Sequence, residues 1–110
     1  MPELQTVDKA KVRAFVSDTL YGLAALEIDQ TEEMRRNLRE NGRRAIEEMK
    51  NGDIQDVLPS DAMLDGINAH YGRLDKLYDV LDGGEEPDPR EVKEIREGIH
   101  SFIRRLHKYT

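Results

Sequence analysis

A chain of 110 residues with 36% charged residues, 5% aromatics and no Trp is sized for a single domain, residues 1–110, with one hydrophobic core, and is poor material for a β-sandwich. Having no Cys, it can build no disulfide framework, thiolate zinc site or iron–sulfur cluster, which fits a reducing compartment and so the cytoplasm. A net charge of −6 disfavours nucleic acid as a partner, and no stretch nears the ~18 uninterrupted apolar residues of a membrane span or resembles a signal peptide.

In chain order, the pattern predicts a first helix over residues 7–28, capped by Thr6 or Asp8. Val12, Phe15, Val16, Leu20, Leu23, Leu26 and Ile28 give it a broad apolar face. Asp29, Gln30 and Thr31 offer alternative N-caps for a second helix reaching residue 50, with Glu32 and Glu33 favoured in its first turn by the helix dipole. Its stripe of Met34, Leu38, Ala45, Ile46 and Met49 is thin, so this helix is expected at the rim, exposing most of its circumference. Asn51 and Gly52 stop it, and Ile54, Val57 and Leu58 suggest that residues 53–59 fold back over one end of the bundle.

Ser60 is the expected cap of a third helix whose Met63, Leu64, Ile67, Tyr71, Leu74, Leu77, Tyr78 and Leu81 cover more than one stripe, placing it centrally. Gly83 and Gly84 end it. A short bridge then leads to Asp88 at an N-cap, Pro89 at the first helical position and Glu91 in capping-box position. The fourth helix carries Val92, Ile95, Ile99, Phe102, Leu106 and Tyr109 at steps of three and four, a coiled-coil-like seam. Short connections force neighbouring helices antiparallel, so the expected fold is all-α, an antiparallel four-helix bundle built from two helical hairpins. Gly22, Gly42, Gly66, Gly72 and Gly98 fall inside helices at ~1 kcal/mol each relative to Ala, with close helix packing as the first explanation.

No motif carries chemistry. Glu97 and His100 have the spacing of half a carboxylate-bridged di-iron site, but no second such pair exists. Residues 82–87 lack the alternating ligands of a calcium loop. His70 reads as a core-edge residue, and His100 and His107 fall off the apolar seam and should face water. Ser17, Ser60 and Ser101 have no histidine and acid at a recognisable spacing, and no glycine-rich phosphate loop is present. Neither an enzyme, a metal site nor a cofactor is expected.

Charge is more informative. From Asp75 to Glu91, seven acids stand against Lys76 and Arg90, a local net of −5. Asp79 and Asp82 lie where the dipole of the third helix disfavours anions, so Asp79, Asp82, Glu85 and Glu86 form one candidate docking surface, for a partner with a basic face. Arg35, Arg36, Arg39 and Arg43 on the second helix form another, although local pairs such as Glu32 with Arg36 and Arg43 with Glu47 would answer part of that charge. The function expected is a non-enzymatic protein–protein interaction module, a small adaptor, inhibitor, chaperone or complex subunit docking through exposed helix faces. Homodimerisation through leftover apolar surface on the third helix is a further expectation. The alternative is a nucleic-acid-binding protein using the Arg-rich second helix and the basic C-terminus.

Overall fold

The structure, a computed structural model, describes residues 9–51 and 61–106. Outside them lie the expected caps Thr6, Asp8 and Ser60, the connection over residues 53–59, and His107, Lys108 and Tyr109; the side chains of Met63 and Leu64 are likewise outside the description. Among the described residues four helices form: α1 (Lys9–Ala24), α2 (Glu32–Asn51), α3 (Asp61–Asp82) and α4 (Pro89–Leu106). Among the described residues there is no strand, and no helix is long and apolar enough to cross a membrane. The helices pack as an antiparallel bundle of two hairpins, α1 with α2 and α3 with α4.

Local chemistry sets the ends. Thr31 caps α2, its Oγ1 accepting from the Met34 amide at 3.2 Å, and Asp88 caps α4, its carboxylate accepting from the Arg90 amide at 2.9 Å. At the close of α3 the Glu85 amide donates to the Val80 carbonyl and the Gly84 amide to that of Leu81. With Gly84 at φ 85°, this is a Schellman cap, and it requires the left-handed conformation that glycine adopts without penalty. α1 ends earlier than its apolar pattern suggested, at Ala24. Beyond it Ala25 and Leu26 turn inward, but Ile28 is 76% exposed. No glycine closes this helix; its last turn is tightened by backbone bonds from the Leu26 amide to Leu23 and from the Glu27 amide to Ala24, and side chains satisfy further carbonyls. Gly22 accepts from Tyr78 Oη at 2.6 Å, Ala24 from Gln30 Nε2 at 2.6 Å, and Ala25 from Arg35 Nε at 3.0 Å.

The α4 seam is buried as its spacing predicts: Ile95, Ile99, Phe102 and Leu106 are in the core with Ile103, and Val92 packs at its edge. α3 touches every other helix. Its Tyr71 stacks on Phe15 of α1 and meets Phe102 of α4 edge-on, with centroids 5.6 and 6.4 Å apart, and Thr19 Oγ1 and Tyr71 Oη share a hydrogen bond of 2.7 Å in the core. Burial pushes the Tyr71 and Tyr78 hydroxyls well above the ordinary tyrosine range, so both stay protonated. The large apolar α3 residues from Ile67 to Leu81 are consumed inside the bundle apart from half-buried Val80, and Ala69 is exposed, which leaves little apolar surface on the described part of α3 for a second copy.

Two of the helix-interior glycines have a steric reason in backbone contact. α1 and α2 cross at Gly22 and Gly42, where a Cβ on Gly22 would lie 2.5 Å from both the Gly42 Cα and Tyr78 Oη.

Candidate functional site

Arg35, Arg39 and Arg43 repeat at intervals of four and therefore share one stripe of α2. That stripe faces α3 and the turn after it, not solvent. Arg35 is 5% exposed and Arg39 3%, which corrects the expectation of a rim helix with a free basic face. Arg35 grips Glu86 with both terminal nitrogens, at 2.6 and 3.1 Å, while its Nε holds the Ala25 carbonyl. One side chain thus joins the α1–α2 turn to the α3–α4 turn. Arg39 donates from Nε to Asp82 at 3.1 Å and from Nη2 to Glu32 at 2.8 Å, leaving Nη1 buried without a partner. Arg43 donates to Asp75 at 3.0 Å and to the second oxygen of Asp82 at 2.5 Å, with Asp79 at 3.6 Å, and lies over the Tyr78 ring, 5.4 Å from its centroid. This is a ladder of three arginines across five carboxylates.

Electrostatics follow the geometry. The Arg35 hydrogen bonds hold the Glu86 carboxyl below its usual range, and those from Arg39 do the same for Glu32; in return Glu86 raises Arg35 further. The two surfaces picked out from sequence are thus largely each other's partners: Arg35, Arg39 and Arg43 engage Asp79, Asp82 and Glu86. Arg36 and Glu85 stand outside the ladder and are exposed, and the Asp79 side chain remains 72% exposed. Glu32 pairs with Arg39 two turns on, and Arg44 reaches Asp18 on α1 at 3.4 Å. A signal for this was present. Arg35, Arg39 and Arg43 descend against Glu86, Asp82 and Asp79 at a nearly constant index sum, the mark of antiparallel register between two stripes.

Chemistry-bearing groups do not converge elsewhere. His70 rests on α4 where a Cβ on Gly98 would meet its Nε2 at 2.7 Å, and its Nδ1 is buried without a partner. Among the described residues no group of three or more His, Cys, Asp or Glu could hold a metal ion.

The open seam of the bundle is the α1–α4 edge, where the two helices meet only sparsely. One depression of about 200 Å³ is lined by Leu20, Leu23, Ala24, Glu27, Arg96 and His100. A second, of about 350 Å³, adjoins it at Glu27 and Arg96 and is otherwise lined by Leu26, Ile28, Glu86, Pro87, Pro89, Val92 and Lys93. Leu20 is 40% exposed at one end and Ile28 76% at the other. His100, expected to face water, is half-buried in this trough.

No protein-family model, curated protein or solved structure matches this chain. The trough and the ladder are therefore read on their own geometry. The ladder pairs the α2 arginines with carboxylates and holds register, with Arg39 Nη1 left over; the trough exposes apolar side chains in a concave, charge-rimmed setting.

Proposed function

We propose that this chain is a non-enzymatic protein–protein interaction module of a reducing compartment such as the cytoplasm, an adaptor, inhibitor, chaperone or subunit of a larger assembly. It docks its partner through an exposed helix face, the α1–α4 edge. One observation carries the reading: Leu20 and Ile28, two of the four exposed large apolar side chains among the described residues, with Tyr21 and Met34 the others, stand at the outer ends of two adjoining depressions that share Glu27 and Arg96. A face of this kind gains affinity by losing water from apolar surface. Three of the arginines on which nucleic-acid binding would draw, Arg35, Arg39 and Arg43, are already bonded to carboxylates, which weakens that alternative, although Arg36, Arg104 and Arg105 are exposed.

The test is affinity capture from nuclease-treated lysate with wild type, Leu20→Glu with Ile28→Asp, and Arg36→Glu as a surface control. A stoichiometric protein kept by wild type and the control but lost from the double variant supports the reading. The same protein retained by all three, or loss only with Arg36→Glu, removes the trough from the account.

A further inference from the structure

The two walls of the trough differ in charge, and the difference specifies what can lie there. The α4 wall carries Lys93, Arg96 and His100, and the opposite wall contributes Glu27. Glu86, at one end, is committed to Arg35. Glu27 meets Arg96 at 3.4 Å across the trough, with side chains 53% and 35% exposed, an arrangement worth little on its own and open to exchange. Lys93 has no ion pair among the described residues. The α4 wall therefore presents cations toward an apolar floor, with one exchangeable carboxylate opposite.

Length adds a second constraint. Pro89 and His100 bound the α4 wall and lie eleven residues apart on one continuous helix, about 16 Å at 1.5 Å per residue. A docked helix placing apolar side chains at i, i+4, i+7 and i+11 spans about the same distance.

We infer that the α1–α4 trough receives an acidic amphipathic helix of another protein, its apolar stripe between Leu20 and Ile28 and its flanking carboxylates on Lys93 and Arg96. This rests on the docking reading above and names the partner's chemistry. A basic amphipathic helix of the same apolar pattern would set like charge against Lys93 and Arg96, which disfavours it. On binding, a partner carboxylate replaces Glu27 on Arg96, and the bundle gains a helix across its open seam.

The test uses the full chain and two fluorescent, helix-stapled peptides with identical leucine stripes, one flanked by Glu and one by Lys, read by anisotropy together with methyl NMR of Leu20 and Ile28. The Glu peptide should bind at least about tenfold tighter than the Lys peptide at low salt, the gap narrowing as salt rises. Ile28→Asp should remove binding of both, and Lys93→Glu with Arg96→Glu should reverse the preference. Equal affinities, both lost with Ile28→Asp, would overturn the acidic partner while leaving docking in place. Unshifted Leu20 and Ile28 methyls with either peptide would overturn both readings. A shift of those methyls with protein concentration alone would assign the trough to a second copy of the chain and overturn the acidic helix.

Discussion

Replacing Gly42 by Ala sets two effects against each other, and the structure decides between them. Helix propensity favours Ala by ~1 kcal/mol. Against this, the new Cβ would overlap Tyr78 Oη and stand 2.8 Å from both the Tyr78 Cζ and the Gly22 Cα. The clash with Gly22 is with backbone, which no rotamer change relieves, and overpacking of this kind costs about 1–3 kcal/mol. Displacing the hydroxyl also unmakes its buried hydrogen bond to the Gly22 carbonyl, about another 1–3 kcal/mol. The expected net loss is about 1–5 kcal/mol, a fall in melting temperature on the order of 5–30 °C for a domain of this size. Gly66→Ala and Gly72→Ala are the internal controls. A Cβ at either meets nothing within 4 Å, so each should gain up to ~1 kcal/mol. Adding Tyr78→Phe removes the hydroxyl and should recover part of the Gly42→Ala loss, giving a non-additive cycle. Urea unfolding of the six proteins measures all of this. A Gly42→Ala protein as stable as wild type, or one shifted in the same direction as Gly66→Ala, would refute the assigned helix crossing.

Acid should act through the ladder. Glu86 and Glu32 are held below the usual carboxylate range, so the unfolded chain binds more protons as the pH falls through that range. Their stabilisation is complete above about pH 4.3 and lost as the pH drops through the lower folded values. The melting-temperature gap between wild type and Glu86→Gln should therefore narrow on acidification; a constant gap contradicts the pairing. Arg39→Met keeps apolar volume and removes the unpartnered Nη1, and its two partners are half-exposed and can rehydrate. It should stay within about 1 kcal/mol of wild type in denaturant titration, whereas Arg39→Ala should lose about 1–3 kcal/mol through lost packing. Thr19→Val strands the Tyr71 hydroxyl and should cost about 1–3 kcal/mol by calorimetry, more than Thr19→Val with Tyr71→Phe, where neither group is left unpaired.

The parts of the fold legible in sequence were those fixed by period and caps. The α4 seam repeats at helical spacing and was buried as expected, and Asp88 followed by Pro89 marked its start. The end of α1 was less legible, because Leu26 and Ile28 continue an apolar run whether or not the backbone stays helical, and the side chains that close α1, Tyr78, Gln30 and Arg35, lie outside that run. Arg35 and Arg39 were misplaced for a related reason. Arginine is rarely buried, and its burial here depends on carboxylates some 43 to 51 residues away. The trough was invisible to periodicity, since Leu20 and Ile28 read as core positions and only the assembled bundle shows that no helix among the described residues covers them.

The bidentate grip of Arg35 on Glu86 has a further consequence, for the lifetime of the fold. It joins turns belonging to different hairpins, so it can close only after both hairpins exist and have docked. Contacts absent from the folding transition state govern how fast a protein comes apart, not how fast it forms. In stopped-flow kinetics, Glu86→Gln should leave the refolding rate nearly unchanged and accelerate unfolding. On that basis the exposed carboxylate at one end of the bundle acts as a latch on native-state persistence.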